Sequence, residues 1–280
     1  MAVYALLNRD SGSLPEDADQ LLADALSEAG HSAEMLVVDG GGMVDSLARQ
    51  RFTQDDLLIV WGGDGTVACA IEHTGRHAPV LLPLPGGTMN LLHKRVHGGA
   101  VDWRDCLQRS LDAGHERWLA GGESQGRTFY VALMAGALTR LSEAREALRD
   151  GEVLGAARKA ASNEAFSLET DLLLDPGDTE VPATAVGVFL KDGPDGPNFE
   201  IGIIDPENIM ELVRIGLAAA IDTWQSVAGT RVFRSRRAEL HSRSGAPIAA
   251  TFDGEPAQLP AGFTVTLKER AARVLAAAPA

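Results

Sequence analysis

Leu57-Leu58-Ile59-Val60-Trp61-Gly62-Gly63-Asp64-Gly65-Thr66 decides how this chain is read. The unbroken apolar run over residues 57–61 has the form of a strand buried on both faces, as in a parallel sheet covered by helices. The glycines then turn the chain, and a segment of helical length follows over residues 67–74. Ligands of open α/β sheets collect at the carboxyl ends of strands, and this is such an end. Glycine lets backbone N–H groups approach a phosphate closely, and a helix N-terminus favours an anion there. Asp64 at the lip can hold Mg²⁺ or orient an attacking hydroxyl, and Thr66 can donate to a phosphate oxygen. Standing alone, the pentapeptide also fits an ordinary strand-to-helix turn.

Working outward, residues 2–7, 33–38 and 80–84 repeat the short apolar form and read as further strands. Between them lie helical segments. Ser13 and Glu16 have the spacing of a capping box, Pro15 falls in the first turn, and Gly30 closes the helix. Residues 43–52 and 103–113 are the other helices of this half. Strand alternating with helix predicts an open parallel sheet. Beyond about residue 120 the pattern changes. Strands are expected at 128–134, 166–174, 183–191, 199–204, 226–233, 237–242, 247–252 and 264–267, with helices at 141–162 and 206–224 and a loop at 192–197. Many short strands with Gly/Pro turns predict an antiparallel sandwich. The fold class is therefore α/β: an N-terminal open α/β nucleotide-binding domain over residues 1–122, joined by 270–280, plus a C-terminal antiparallel β-sandwich domain over 123–269.

Composition narrows the function. The 280 residues carry 25 Lys+Arg and 39 Asp+Glu, a net charge of −14, which argues against broad nucleic-acid binding. Cys69 and Cys106 share no metal-like spacing and imply no disulfide framework, so a reduced, cytoplasmic setting is expected. No apolar stretch approaches the roughly 18 residues of a membrane span. Arg231, Arg234, Arg236, Arg237 and Arg243 stand near a single acid, Glu239, and read either as a patch for an anionic partner or as a solvated strand surface.

Two more loops resemble the first in place and chemistry. Gly86-Gly87-Thr88-Met89-Asn90 follows the strand at 80–84 and opens the next helix, with Thr88 and Asn90 as neutral donors. Asn8-Arg9-Asp10-Ser11-Gly12 follows the first strand, where Asn8 and Ser11 can contact nucleotide. Near the C-terminus, Asp253-Gly254-Glu255 sets two carboxylates about a glycine. Phosphoryl transfer needs a metal-binding group and a carboxylate beside the attacking hydroxyl. The same tripeptide also makes a strong hairpin turn.

These pieces, in this order over nearly the whole chain, resemble the diacylglycerol kinase catalytic-domain family of lipid kinases, which includes diacylglycerol, sphingosine and ceramide kinases. The matching elements are Asn8 to Gly12, Gly62 to Thr66, Gly87 to Asn90 and Asp253 to Glu255. The resemblance implies ATP and Mg²⁺ as cofactors and phosphorylation of a lipid hydroxyl in a cleft between the two domains. It implies nucleotide binding by Asn8, Ser11, Gly12, Gly62, Gly63, Asp64, Gly65, Thr66, Gly87, Thr88 and Asn90. Asp64, Asp253 and Glu255 are the implied catalytic residues, with Asp64 and Glu255 as metal ligands. It leaves Asp253 and Glu255 open as the base. Without a membrane span, any contact with the inner membrane face would be peripheral, and exposed sandwich edges allow a homodimer. The chain departs from the family at Ala68-Cys69, where Asn-Glu is frequent, and at Arg9-Asp10, Asp39-Gly40 and Leu91 to Lys94. Two rivals stand beside the lipid kinase: an NAD kinase-like enzyme with a soluble acceptor, and a non-catalytic nucleotide or lipid sensor on the same fold. His93, His97, Lys94 and Arg95 read as a solvated helix face, and Cys69 as a packed helix residue.

Overall fold

The computed structural model describes residues 1–74, 78–99, 102–137, 139, 171–177, 179–204 and 230–277. The helices expected at 141–162 and 206–224 lie outside these residues. The chain divides into two compact units: residues 1–120 with 269–280, and residues 121–268.

The first unit is built on parallel strands in the order β2 (Glu34–Val38), β1 (Val3–Asn8), β3 (Leu57–Gly62), β4 (Val80–Pro85). Ala5 lies opposite Ile59, and Ile59 opposite Leu82, so equivalent apolar positions stack across the sheet. All six residues of β3 are buried, as two-sided coverage requires. On one face Ala5, Leu7, Ile59, Trp61, Leu82 and Leu84 pack with Leu22 and Leu26 of helix α1 (Ala18–Glu28) and with Cys106 and Leu107 of helix α5 (Trp103–Ala113). Helices α2 (Met43–Ala48), α3 (Asp64–His73) and α4 (Leu91–His97) complete the unit.

Helix ends show where local chemistry won and where it lost. The Ser13–Glu16 capping box does not form: α1 starts four to five residues later, after Asp17, which makes no side-chain cap. Ser13 is instead engaged by the loop after β4. At the other end Gly30 has φ +76°, Gly30 N–H reaches Ser27 O at 3.0 Å and His31 N–H reaches Leu26 O at 2.8 Å. That is the Schellman pattern expected of a glycine one place past the cap. Helix α2 starts at Met43 as the pattern at 43–52 predicts, directly after a 3₁₀ turn of three glycines, Gly40–Gly42, but it stops at Ala48.

The second unit is antiparallel. Strands β5 (His115–Ser124) and β6 (Arg127–Phe129) form a hairpin, followed by β7 (Ala132–Gly136), β8 (Leu172–Asp175), β9 (Val181–Ala183), β10 (Ala185–Gly193) and β11 (Gly196–Ile204). Then come β12 (Thr230–Ser235), β13 (Arg237–Ser242), β14 (Ile248–Phe252), β15 (Glu255–Leu259) and β16 (Gly262–Ala276). Six strands pair in the order β12-β11-β10-β7-β14-β15, while β13 joins β8 on one side and the first part of β16 on the other. Phe129 of one sheet lies 6.0 Å from Phe199 and 6.1 Å from Phe252 of the other, ring to ring, which places aromatic packing between the layers.

Residues 192–197 are not a free loop. Gly193 pairs with Gly196 across the two-residue turn Pro194-Asp195, and Gly196, the first residue after the turn, has φ +95°. Strands β5 and β15 have no counterpart in the sequence reading, and β16 is far longer than the four residues expected. The last part of β16 leaves the second unit's pairing and sets Val274 opposite Leu81 of β4, in parallel. No helix among the described residues is long and apolar enough to cross a membrane.

Candidate functional site

The carboxyl ends of β1, β3 and β4 carry three loops that interlock. Asn8 Nδ2 donates to Thr66 Oγ1 at 3.0 Å, and Asn8 Oδ1 accepts the N–H of Asp10 at 3.1 Å. Gly63 N–H donates to Ser11 Oγ at 3.3 Å. Ser13 N–H donates to Gly86 O at 3.0 Å and its hydroxyl to Gly87 O at 3.1 Å. The first loop is thereby tied to both of the others.

The glycines at this junction are largely required by loop-on-loop packing. A Cβ on Gly87 would stand 2.6 Å from Gly63 Cα, one on Gly86 2.9 Å from Gly62 Cα, and one on Gly62 2.7 Å from the Thr66 side chain. A Cβ on Gly12 would come to 3.2 Å from Thr88 Oγ1. Gly65 differs: it is exposed and a Cβ there would meet nothing within 4 Å. Sequence reasoning assigned all these glycines to phosphate approach, but most of them first allow two backbones to touch.

Polar groups divide in the same way. Thr66 is 5 % exposed and its hydroxyl accepts the amide of Asn8. Asn90 adopts φ +50° and closes a ring with Gly87: Gly87 N–H to Asn90 Oδ1 and Asn90 Nδ2 to Gly87 O, both 2.8 Å. An asparagine tolerates this left-handed backbone better than most residues. Asp64, first residue of α3, accepts Leu91 N–H through Oδ2 at 3.1 Å and Leu92 N–H through Oδ1 at 2.8 Å. It thus caps the start of α4, and each oxygen retains a second lone pair. Thr88 is exposed at the rim. The surface formed by these loops offers the N-terminus of the ten-residue helix α3, one carboxylate and a hydroxyl, a set suited to an anion bearing a divalent cation.

In the second unit, Asp253 and Gly254 are the two turn residues between β14 and β15, with φ +50° and +95° and Phe252 paired to Glu255. Both positions have the positive φ that an Asp-Gly hairpin turn favours. The Asp253 carboxylate accepts the N–H groups of Tyr130 at 2.6 Å and of Val131 and Ala132 at 2.8 Å. Its own N–H donates to Ala132 O at 2.9 Å. Glu255 is exposed, and its carboxylate makes no hydrogen bond or ion pair with the described residues. A groove of 260 Å³ is lined by Thr139, Ala250, Thr251, Gln258 and Pro256, the residue after Glu255.

His93 and His97 are buried, not solvated, at 3 % and 9 % exposure. Their spacing of four places both on the face of α4 turned toward β4, where His93 Nδ1 lies 3.1 Å and His97 Nε2 2.9 Å from Pro83 O. Burial, then the neighbouring His93, push the His97 pKa down to about 4. Cys106 of α5 is buried beside them, and burial pushes its thiol up to about 12. The i, i+4 spacing of two histidines was legible in the sequence, but nothing there placed Cys106 next to them. Cys69 is half-buried on α3, with Sγ 3.5 Å from His73 Nδ1.

Residues 2–118 match the family model of the diacylglycerol kinase catalytic domain. Solved structures from Bacillus anthracis str. Sterne are similar to the chain over nearly its full length. One is a diacylglycerol kinase, matched with a TM-score of 0.69 at 15 % identity over 99 % of this chain and 97 % of that one. Another, described as a putative diacylglycerol kinase, is matched with a TM-score of 0.68 at 15 % identity over 99 % and 95 %. At that identity the likeness is one of fold: an N-terminal α/β part followed by a β part.

Proposed function

On the match of residues 2–118 to the diacylglycerol kinase catalytic-domain model, we propose that the chain transfers the γ-phosphoryl group of ATP, with Mg²⁺, to a hydroxyl of a lipid such as diacylglycerol, ceramide or a sphingoid base. The observation that carries this reading is the junction of three Gly-rich loops at adjacent strand ends, closed by Ser11, Ser13 and Asn90. A rigid crevice of this kind suits a polyphosphate, because the N–H groups and the helix terminus are set before the ligand arrives. The N-terminus of α3 with Gly65 and Thr88 would receive the phosphates. Asp64 would hold Mg²⁺ together with phosphate oxygens and water, through lone pairs that α4 does not take. When bound, the ion would supply positive charge against the negative charge that develops on the phosphates.

On the acceptor side, Asp253 and Glu255 differ in what their oxygens already do. Three backbone N–H groups hold Asp253, whereas Glu255 stands exposed at the start of β15. This favours Glu255 as the group that orients or deprotonates the acceptor hydroxyl and Asp253 as the group that shapes the turn presenting it. The adjoining groove is lined largely by Ala, Pro and Thr, which fits an apolar part of an acceptor.

The test is transfer of labelled γ-phosphate from ATP and Mg²⁺ to a mixed extract of lipids and neutral metabolites, with Glu255→Gln as control. A labelled organic-soluble product, lost in the control, is expected. Label confined to a water-soluble product would move the assignment to a soluble acceptor such as NAD. Nucleotide binding with no transfer to any component would leave a sensor.

A further inference from the structure

The parallel pairing of β16 with β4 is recorded at Val274 opposite Leu81. Carried forward in register, it would set Ala277 opposite Leu84, and the next ladder bond would run from Ala277 N–H to Pro83 O. That direct bond is replaced. Ala277 N–H donates to His97 Nδ1 at 3.0 Å, and His97 Nε2 lies 2.9 Å from Pro83 O. An amide N–H can only donate and a carbonyl oxygen can only accept, so one tautomer fits: Nδ1 bare, Nε2 carrying the proton. The imidazole is spliced into the sheet as a relay. Pro85, whose nitrogen would answer Ala277 O in the next step of the ladder, has no N–H to give.

We propose that His97 is a positioning residue for the loop Gly86-Gly87-Thr88-Met89-Asn90: its ring holds the end of β16 one imidazole away from β4 and ties both ends of the loop to one another. Pro83 lies just before the loop and α4, which carries His97, just after it. His93 donates to the same Pro83 oxygen from one turn earlier on α4. With Asp64 bound to the first two N–H groups of α4, the helix that ends the loop is fixed at both its ends. Without the relay, β16 would be free to close on Pro83 and draw the strand end out from under Gly86 and Gly87.

The three ligating atoms of His93, His97 and Cys106 lie within 4.8 Å of one another, which on distance alone resembles a soft-metal site. Both nitrogens of His97 are already hydrogen-bonded, so a metal would have to displace either Ala277 or Pro83. Burial also keeps the Cys106 thiol protonated. The cluster is a neutral brace.

The assignment rests on reading this loop as part of the nucleotide site. His97→Gln keeps an acceptor and a donor on one short planar group, whereas His97→Leu keeps the bulk and removes both. Binding of a fluorescent ATP analogue is measured for each, with urea unfolding alongside. His97→Leu is expected to weaken nucleotide binding at least tenfold while the KM for the lipid acceptor stays within about threefold, and His97→Gln to restore nucleotide binding to within about threefold of wild type. Ala277→Pro deletes the donating N–H while leaving His97 in place, at the cost of a fixed φ and a small ring, and serves where His97→Leu does not fold; it is expected to weaken binding in the same direction. Either variant, folded and binding nucleotide as the wild type does, overturns the assignment. A wild-type chain that binds no ATP analogue overturns the nucleotide reading itself, and the role of His97 with it.

Discussion

Asp64 Oδ1 accepts the backbone N–H of Leu92 at 2.8 Å, so the first residue of one strand-end helix caps the beginning of the next. The side chain proposed to bind the metal is therefore also a piece of structure, and its two duties separate by magnitude. In Asp64→Asn one oxygen still accepts, and the loss in urea-unfolding stability should be about 1 kcal/mol, that of a weakened cap. Phosphoryl transfer should fall by far more, on the order of 100-fold, as expected when a group that meets developing charge is removed. Activity falling only in step with the folded fraction would reduce Asp64 to a cap.

Asp253 and Glu255 should behave in opposite ways. Asp253→Ala leaves the N–H groups of Tyr130, Val131 and Ala132 without their shared acceptor, and a loss of about 3 kcal/mol follows. Glu255→Gln touches an exposed group, so stability should hold within about 0.5 kcal/mol. Under the proposed role, turnover should drop with KM for ATP unchanged. Paired denaturation and steady-state kinetics on the two variants check this directly; equal stability losses would contradict it.

The junction glycines offer a contrast between packing and ligand contact. Gly87→Ala forces a methyl to 2.6 Å from Gly63 Cα, backbone against backbone, and should lower the urea midpoint and disorder the loop. Gly65→Ala has open space, so the chain should fold as before, at no more than a few tenths of a kcal/mol difference. If Gly65 faces the phosphates, its methyl will weaken ATP binding all the same. A Gly65→Ala variant with unaltered nucleotide affinity would move the phosphates away from the start of α3.

Much of the first unit was legible because its strands are uninterrupted apolar runs and its loops carry glycine at strand ends. Residues 57–66 alone gave the strand, the turn and the helix that follows. The Ser13–Glu16 box misled because the loop after β4 takes Ser13, whose N–H, the group the box would offer to Glu16, donates to Gly86 O and whose hydroxyl donates to Gly87 O. Strand β5 was missed because His115, Glu116 and Arg117 open it and its buried run begins only at Leu119, after an exposed Trp118. His93 and His97 read as surface because Lys94 and Arg95 lie between them; the apolar face of α4 is set by Leu92 and Val96 on the same side. The dual use of Asp64 and the relay through His97 rest on contacts between segments far apart in the chain, which no local pattern encodes.

Stability should depend on pH at both ends of the range through the buried brace. His97 has a folded value of about 4 against an ordinary 6.5, lowered chiefly by burial and by His93. The unfolded chain therefore takes up a proton that the folded chain refuses. The contribution is intact above pH 6.5 and is lost as pH falls toward 4, about 3 kcal/mol in all. Carboxylates also titrate in acid, so the quantity to measure is the urea-unfolding free energy of wild type minus that of His97→Gln. That difference should be flat above pH 7 and decline between 6.5 and 4. Cys106 acts in the opposite direction, since burial raises its thiol from 9.0 to about 12. Here the folded chain keeps a proton the unfolded chain releases, so stability is intact below pH 9 and falls as pH rises above it, by about 4 kcal/mol up to pH 12. Wild type minus Cys106→Ala should show that decline alone. A difference curve that rises above pH 9 would mean the thiol ionises in the folded state, and that the brace of His93, His97 and Cys106 is not neutral.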